Sequence, residues 1–444
     1  MKLEIVRSGS PTFKLWLKAL CERGGAEDAA VEKAVAGIVK AVKRRRDRAV
    51  IEFTARFDRI KLSASTMRVS AAELRASRAA LKPEERKALE LAARRIREFH
   101  LRTVDRSFSY RDRVGIRLGQ VVRPLERVGI YVPGGQGAYP STVLMNAIPA
   151  KVAGVRDIVM VSPGNRAGER SAVLAAAAIA GVDEVYRIGG AQSIAALAYG
   201  TDTIRPVDKI VGPGNAYVQA AKRMVYGVVD IDKVAGPSEV VVIADEHANA
   251  QWVIADLIAQ AEHGSGDEAA VMLTPSAHLA VAVAAALDRA LQDLPRAEAV
   301  RRALSKRGGL VVVRDLKEAF EIANRIAPEH LELEIKNPER WIGAVRSAGA
   351  VFLGAMSPAP LGDYLAGPNH VLPTGGAARF ASPLGAYDFV KRSSIIQATT
   401  EAVRRLGPSV ARLARMEGFE AHARAIELRL DGGAGKGRRR RVSQ

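Results

Sequence analysis

The chain has 444 residues, of which 48% are apolar and 5% aromatic, and its formal net charge is +19. Single hydrophobic cores stop growing near ~250–300 residues, so this length predicts two or three domains. The single cysteine, Cys21, excludes an internal disulfide, and the chain shows neither a signal-peptide pattern nor an apolar run long enough to span a bilayer. We therefore expect a soluble cytoplasmic protein with no membrane partner.

Lys and Arg outnumber Asp and Glu by 67 to 48, a balance that nucleic-acid-binding proteins share. The basic residues are spread along the chain, in short runs at 43–46, 94–97 and 438–441, and no aromatic residues are interleaved with them to stack on bases. A generally basic surface explains this pattern better than a nucleic-acid site. We expect at most weak polyanion binding by residues 432–444, which we predict to be disordered.

Residues from about 28 to 101 are predicted to be mainly helical, with one short strand at 66–69. From Val128 onward, short apolar strands alternate with Gly-rich turns and helices. The predicted strands of this run are 128–132, 157–161, 184–188 and 209–211, and its helices are 142–153, 169–180, 193–199 and 217–226. Alternation of this kind indicates parallel strands joined by helical crossovers.

A second alternating run follows. Its predicted strands are 239–244, 269–273, 309–313, 331–335 and 350–353, and its helices are 249–262, 279–291 and 316–326. Two further helices are predicted at 400–415 and 418–430. The fold class is therefore α/β, with two parallel-sheet units in tandem and a ligand-binding cleft expected between them.

Three Gly-rich turns follow strands of the first run, at 131–135, 189–192 and 212–215. None matches the G-x-G-x-x-G fingerprint, so ordinary strand-to-helix turns remain one interpretation of each. The other interpretation is a dinucleotide held by backbone amides at helix starts, with side-chain amides nearby. Tyr131, Gln192 and Asn215 are the polar residues that these turns offer.

Four further segments carry polar, titratable residues in tight or apolar surroundings. Gln260 and His263 lie three residues apart at the end of a predicted helix and so share one face of it. Glu329 and His330 form an adjacent acid–base pair. The remaining two segments contain Asp363 with His370, and Glu417 with His422. His100, His247 and His278 lie in charged or loop contexts and are predicted to be surface residues.

Mixed nitrogen and oxygen ligands are typical of zinc sites that leave positions open for substrate. Such a set is available from four of these residues: Gln260, His263, Asp363 and His422. For each residue taken alone, a structural role is the more common one. Sequence spacing does not show that they meet.

The segments named above resemble the histidinol dehydrogenase family, from about residue 35 to about residue 429. The resemblance rests on motifs in a fixed order: YVPGG, STVLMNAIPAKVAGV, IGGAQSIAALAYGT, KIVGPGNAYV, AGPSE, QAEH, APEHLE, GDYLAGPNHVLPT and EGFEAH. It implies a homodimer of subunits with two incomplete Rossmann-like domains and exchanged C-terminal segments. It also implies one zinc ion per subunit and two NAD molecules per turnover.

The resemblance implies a division of the chain into segments. Residues 1–27 would form an N-terminal extension, and residues 28–128 with 237–384 a first Rossmann-like domain carrying the metal and the catalytic residues. Residues 129–236 would form the NAD-contacting domain. Residues 385–431 would be a helical segment exchanged with the partner, followed by the basic tail.

The resemblance also implies roles for single residues in the two-step oxidation of L-histidinol, through L-histidinaldehyde, to L-histidine. Zinc would be held by Gln260, His263 and Asp363 and by the partner subunit's His422. His330 resembles the general base that takes the alcohol proton, and Glu329 the residue that activates water on the aldehyde. The substrate would be contacted by the four zinc ligands, by His330 and by three further residues: Ser238, His370 and Glu417. Tyr131, Gln192 and Asn215 match NAD-contacting positions.

The sequence departs from the family pattern after QAEH, where it reads Gly264-Ser265-Gly266 in place of an acidic residue and a proline. Two other functions stay open. One is a related dehydrogenase of another polar alcohol or diol. The other, from a different class, is a basic nucleic-acid-binding protein with an inactive dehydrogenase fold.

Overall fold

The computed structural model of the chain describes residues 4–23, 29–134, 137–164, 167–264 and 266–431. The chain divides into two compact units. The first contains the described residues up to Val104 together with Leu125–Phe389, and the second contains Asp105–Pro124 together with the described residues from Val390 onward. The tail predicted to be disordered and Ser265 of the unusual loop lie outside the described residues.

The strands are β1 Ile5–Arg7, β2 Phe108–Arg111, β3 Arg117–Pro124, β4 Arg127–Tyr131, β5 Asp157–Val161, β6 Glu184–Tyr186, β7 Lys209–Val211, β8 Asp230–Ile231, β9 Glu239–Ala244, β10 Ala269–Thr274, β11 Gly308–Val312, β12 His330–Glu334, β13 Ala350–Leu353 and β14 Val390–Gln397. The α-helices are α1 Pro11–Cys21, α2 Ala29–Arg45, α3 Asp47–Phe57, α4 Ala64–Met67, α5 Ala71–Ala79, α6 Pro83–His100, α7 Pro140–Ala153, α8 Ala167–Ala180, α9 Gly190–Tyr199, α10 Ala216–Val225, α11 Ala250–Ala261, α12 Ala277–Ala290, α13 Ala297–Arg307, α14 Leu316–Ile326, α15 Ala359–Leu361, α16 Thr400–Met416 and α17 Glu420–Asp431. No described helix has both the length and the apolar composition needed to cross a membrane.

Six parallel strands form the larger sheet of the first unit, in the order β1-β11-β10-β9-β12-β13. Successive residues of β9 point to opposite faces: Val240 and Val242 pack with α11 and α12, whereas Val241 and Ile243 pack with α1 and α14. Helices cover both faces, which explains why these strands are continuous apolar runs. The segment predicted as an N-terminal extension supplies the edge strand β1 to this sheet.

Five parallel strands form the second sheet of the same unit, in the order β6-β5-β4-β7-β8. Helices α6, α7 and α8 pack on one face, and α2, α9 and α10 pack on the other. The α/β fold with parallel sheets predicted from the sequence is therefore confirmed. The domain boundaries given above stay a prediction.

The short strand predicted at 66–69 is wrong for most of its length, because residues 64–67 form the helical turn α4. A capping box explains the outcome: the Ser63 side chain accepts a hydrogen bond from the Thr66 amide, and the Thr66 hydroxyl accepts one from the Ser63 amide. These local hydrogen bonds favour a helical turn more strongly than the alternation of side chains over only four residues favours a strand. Only Arg68 makes a single β-bridge, to Tyr186.

The second unit contains an antiparallel sheet in the order β14-β3-β2 and the packed helices α16 and α17. The sequence predicts the two helices but misses this sheet. Its strands are largely exposed and polar, so they lack the apolar runs by which the other strands were found.

A buried ion pair makes a testable contribution to the five-stranded sheet. Lys222 of α10 pairs with Asp232 after β8, and both side chains are almost fully buried. We expect Lys222→Met to lower the free energy of unfolding by about 3–5 kcal/mol, because it leaves the Asp232 carboxylate buried without its partner. Urea denaturation measures the loss. Arg78→Met, which breaks the exposed pair with Glu90, is the control and should cost less than about 1 kcal/mol; equal losses would contradict the prediction.

Candidate active site

The glycine turns predicted to bind a nucleotide lie at the carboxyl ends of strands in the five-stranded sheet. Tyr131 ends β4 and is buried, and its hydroxyl accepts a hydrogen bond from the Gly190 amide at 3.4 Å. Gly212 follows β7 with φ +111°, and a Cβ atom there would lie 2.2 Å from the Tyr131 carbonyl oxygen. Only glycine fits such an approach. Doubly wound sheets bind nucleotides at this edge.

The two side-chain amides of these turns differ in their surroundings. Gln192, in the first turn of α9, is buried, and neither its amide oxygen nor its amide nitrogen has a hydrogen-bond partner among the described residues. Asn215 is exposed and caps α10, because its Oδ1 accepts a hydrogen bond from the Val218 amide at 3.1 Å. Gln192 therefore has unused hydrogen-bonding capacity for a ligand, whereas Asn215 already has a structural role.

The Glu329–His330 pair lies where β12 begins, and both side chains are buried. The backbone of Glu239, the first residue of β9, holds the two side chains. Its amide donates to Glu329 Oε2 at 2.9 Å, and its carbonyl oxygen lies 3.1 Å from His330 Nδ1. Because a carbonyl oxygen only accepts, Nδ1 must carry a proton, which leaves Nε2 for the substrate side.

The charges of this pair depend on each other and on Asp363. Burial raises the pKa of Glu329 to about 7. Burial would lower the pKa of His330, but the nearby Glu329 and Asp363 carboxylates outweigh it and raise the pKa to about 9. His330 Nε2 lies 3.3 Å from Asp363 Oδ1. Glu329 thus titrates near neutral pH, where a carboxylate exchanges protons with water most effectively.

The end of α11 carries the two residues predicted to bind a metal on one helix face. Gln260 is buried, and its Nε2 has no hydrogen-bond partner. His263 follows the helix, and its Nδ1 lies 3.0 Å from the Gln260 carbonyl oxygen, so its Nε2 is the nitrogen left for a ligand. The C-terminal end of a helix also carries partial negative charge, which favours a cation.

Asp363 and His370 come from the Gly/Pro-rich loop after α15. Residues Gly362–Ala366 form a π-helical turn, and the Asp363 carbonyl oxygen accepts a hydrogen bond from His370 Nδ1 at 2.8 Å. Burial would raise the pKa of Asp363, but the bond to His330 and the charges of His330, His370 and His263 lower it. Asp363 is therefore an ionised carboxylate that can bind a metal.

A cavity of about 530 Å³ opens beside these residues in the first unit. His330, Asp363 and His370 line it, together with Phe352 of β13 and Tyr387. Its volume falls in the range of small-molecule sites. Polar groups that can transfer protons or bind a metal therefore face a space large enough for a substrate.

Three predicted residues lie elsewhere or contribute little to this geometry. Ser238 directly precedes Glu239 and is half-buried. Glu417, at the end of α16, and His422, in α17, belong to the second unit, and both are exposed. The His422 ring packs against Phe419, with 5.1 Å between ring centroids.

The acid–base pair lies at the amino edge of the six-stranded sheet, where Glu239 and His330 begin adjacent strands. Nucleotide-binding sheets usually bind ligands at the opposite, carboxyl edge. The helix α11 follows β9 and returns along the sheet, so its C-terminal end brings Gln260 back to the amino edge. The first unit thus has two candidate sites. One lies at the carboxyl ends of strands in the five-stranded sheet, and the other at the amino ends of strands in the six-stranded sheet.

The family model for histidinol dehydrogenase matches residues 21–430 of the chain. The chain belongs to the histidinol dehydrogenase family. It is 52% identical to the histidinol dehydrogenase of Aromatoleum aromaticum over 95% of this chain and 96% of that protein, and 50% identical to that of Aquifex aeolicus over 97% and 99%. The crystal structure of histidinol dehydrogenase from Elizabethkingia anophelis matches with a TM-score of 0.90 at 36% identity, covering 97% of this chain and 98% of that one.

Membership of the histidinol dehydrogenase family makes the chain an oxidoreductase of histidine biosynthesis. The motifs quoted from the sequence lie within the matched residues. The resemblance stated from those motifs is therefore confirmed.

One histidine of the chain was misassigned. His100, predicted to be on the surface, is 1% exposed at the end of α6, and neither ring nitrogen has a hydrogen-bond partner among the residues that the structure describes. Its burial at a helix end is decided by the elements packed over it, so its charged sequence neighbours were misleading. Burial lowers the pKa of His100 to about 4, and the ring is neutral at physiological pH.

The buried neutral His100 predicts a pH effect on stability. The unfolded chain binds the His100 proton near pH 6.5, whereas the folded chain binds it only near pH 4, so folding loses stability as pH falls through this window. Between pH 6.5 and 5 we expect a loss of about 2 kcal/mol from this residue. Urea denaturation of the wild type and of His100→Leu at both pH values tests it; parallel changes in the two proteins would contradict it.

A group of carboxylates that the sequence interpretation missed lies next to the histidinol dehydrogenase site. Among the described residues, Asp256, Glu332 and Glu334 bring their carboxylate oxygens within 4.8 Å of one another, and we call them the carboxylate cluster. Burial and the neighbouring Asp256 raise the pKa of both Glu332 and Glu334 to about 8. The alternation of Glu332 and Glu334 along β12 is the one sequence signal that they share a face.

Proposed function

We propose that the chain oxidises L-histidinol in two successive NAD-dependent steps, through L-histidinaldehyde to L-histidine, with one zinc ion in each site. The observation that carries the proposal is the Glu329–His330 pair, which is held by the Glu239 backbone and whose His330 contacts Asp363 and lines the cavity. An alcohol oxidation needs a base for the hydroxyl proton, and oxidation of the aldehyde hydrate needs a second proton acceptor for water. The pair supplies both.

Three residues of the first unit would hold the zinc ion: Gln260, His263 and Asp363. Their chemistry fits, because an amide oxygen, the free Nε2 of an imidazole whose Nδ1 is already bonded, and an ionised carboxylate are ligands that zinc accepts. When bound, zinc would anchor a nitrogen-bearing substrate and offset the negative charge of Asp363. The carboxylate cluster offers oxygen ligands only and is not part of this ligand set.

His330 would act first. Its Nδ1 proton is held by the Glu239 carbonyl. Its Nε2 lies 3.3 Å from the Asp363 carboxylate, whose charge zinc would offset, and in that state Nε2 would accept the alcohol proton while hydride leaves the carbon for NAD. Glu329 would then take a proton from the water that adds to the aldehyde, because its pKa of about 7 places it near the working pH. His370, whose pKa burial lowers, would remain neutral. Its Nδ1 donates to the Asp363 carbonyl, so its Nε2 would accept one hydrogen bond from the substrate.

We propose NAD binding at the carboxyl edge of the five-stranded sheet, near Tyr131, Gln192 and Asn215. The buried and unpartnered amide of Gln192 supports this assignment best. Asn215 is the weaker member, since its side chain already caps α10.

We further propose a homodimer with exchanged C-terminal segments, in which the partner subunit's His422 would be the fourth zinc ligand and the partner subunit's Glu417, together with Ser238, would complete the substrate site. The support comes from the second unit described by itself. Leu406, Val410 and Leu413 lie on one face of α16, and all three are exposed to solvent in the single chain. Apolar surface of this extent on a helix indicates an interaction face. The segment boundaries and the cytoplasmic location remain predictions.

The function is tested by following NADH formation with L-histidinol, and with other amino alcohols and diols at equal concentration. We expect turnover of L-histidinol with two NADH formed per substrate and L-histidine as the product. Preference for another alcohol would instead favour a related dehydrogenase. Failure to reduce NAD with any of them, together with salt-sensitive nucleic-acid binding, would favour the nucleic-acid-binding alternative.

A further inference from the structure

Arg23, just after α1, makes a buried set of contacts close to the candidate active site. Its Nε and Nη2 atoms donate to the two carboxylate oxygens of Glu239, with 2.6 Å for the Nη2 bond. Both side chains are nearly inaccessible to solvent. Two parallel bonds between a guanidinium and a carboxylate fix the geometry of both partners, which a single bond would not do.

The same guanidinium also contacts the segment that leads into the acid–base pair. Arg23 Nη2 donates to the carbonyl oxygen of Ile326 at 3.0 Å, and Nη1 donates to the Leu20 carbonyl oxygen at 2.5 Å. Ile326 ends α14, and Ala327 follows in the left-handed conformation with φ +50°. Glu329 comes two residues later, so Arg23 anchors the turn that presents it.

Glu239 connects this anchor to both reacting side chains. Its carboxylate is held by Arg23 and by the Gly375 amide at 3.0 Å, while its backbone amide and carbonyl hold Glu329 and His330. A shift of the Glu239 main chain would therefore move both hydrogen bonds at once. Glu239 alone cannot keep its buried carboxylate in place without a cation.

We propose that Arg23 is a positioning residue of the candidate site: by holding the Glu239 carboxylate and the Ile326 carbonyl, it fixes the two backbone groups that orient Glu329 and His330. Arg23 does not contact the substrate space and acts only through these groups. The inference deepens the proposed function and rests on it for its kinetic consequence. Its structural consequence, protection of the Glu239 amide, does not depend on the reaction catalysed.

The first test is kinetic and compares Arg23→Met with Arg325→Met. Arg325 lies on the exposed side of α14 and is the control for loss of an arginine near this turn. We expect Arg23→Met to lower kcat with L-histidinol about 10- to 100-fold, the range for partners that orient active-site groups. The KM for L-histidinol and the zinc content should stay within about two-fold of wild type. Arg325→Met should leave all three unchanged.

If Arg23→Met only destabilised the fold, its effect on the rate of aldehyde oxidation would not depend on whether Glu329 is present. We therefore expect Arg23→Met to lower aldehyde oxidation much less in a Glu329→Gln background than in the wild type, because the residue that it positions is already lost. Arg23→Lys keeps the charge but not the paired hydrogen bonds. Its rate of aldehyde oxidation should therefore lie between those of the wild type and of Arg23→Met. It also replaces Arg23→Met if that variant does not fold. Equal losses in both backgrounds would overturn the proposal.

Hydrogen exchange separates this inference from the proposed function. The Glu239 amide, which donates to Glu329, should exchange faster in Arg23→Met and Arg23→Lys than in Arg325→Met, as measured on peptides that cover residues 237–241. Unchanged exchange there, in a protein that oxidises L-histidinol, would overturn the role of Arg23 and leave the function standing. Faster exchange in a protein that does not oxidise L-histidinol would support the role of Arg23 and overturn the proposed function.

Discussion

Replacing Glu329 by Gln is expected to slow oxidation of the aldehyde about 100-fold or more, with a much smaller effect on oxidation of the alcohol. The reason is geometric and electrostatic. Glu329 is buried with a pKa near 7, so it can take a proton from the attacking water, whereas the alcohol proton is assigned to His330. Gln retains the hydrogen bond from the Glu239 amide but cannot accept that proton.

The two half-reactions are measured separately by NADH formation, starting once from L-histidinol and once from L-histidinaldehyde. Glu334→Gln is the matched control, because it removes the titratable proton of another buried carboxyl group, at the far end of the strand that Glu329 precedes and away from the Glu239 backbone. It should leave the ratio of the two rates unchanged. A Glu329→Gln variant that loses both half-reactions equally would contradict the assigned role.

Replacing Asp363 or His263 by Asn is expected to weaken zinc binding about 100-fold and to abolish most of the activity. Four-ligand zinc sites bind with about 10–16 kcal/mol, so each ligand contributes about 3 kcal/mol, or roughly 100-fold in affinity. For Asp363 the loss of charge adds to the loss of a ligand, because its lowered pKa marks it as ionised. Both residues lie in the first unit and need no partner for this test.

Zinc retained after dialysis against a competing chelator measures this effect directly. Chelation should also inactivate the wild type, and added zinc should restore it. His247→Asn, which alters an exposed histidine away from the site, is the control and should retain zinc like the wild type. Activity that survives proven removal of the metal would exclude the proposed function of zinc as a substrate anchor.

Several parts of the candidate site could be predicted from the sequence because neighbouring residues encode them. Gln260 and His263 share a helix face by their spacing, and Glu329 and His330 adjoin in the chain. The family motifs added Asp363, whose hydrogen bond to His330 spans 33 residues. The role of His422 and Glu417 stays a prediction, since the structure describes a single chain.

Other parts could not be predicted, because the deciding contacts join distant residues. The bond from the Glu239 amide to Glu329 spans 90 residues, and the Arg23–Glu239 pair spans 216. His100 looked like a surface residue among charged neighbours, yet it is buried. The strand predicted at 66–69 failed for a local reason, since the capping bonds of Ser63 and Thr66 favoured a helical turn.

The sequence by itself determined the alternation of strands and helices, the parallel α/β class and the family, because these follow from periodicity and motifs within short stretches of chain. The tertiary structure alone decided that Glu239 and His330 begin adjacent strands, so that the acid–base pair lies at the amino edge of its sheet. Strand order and register bring such residues together, and both depend on packing between segments far apart in the chain. The same packing removes water from Glu329 and gives the carboxylate its pKa near neutrality.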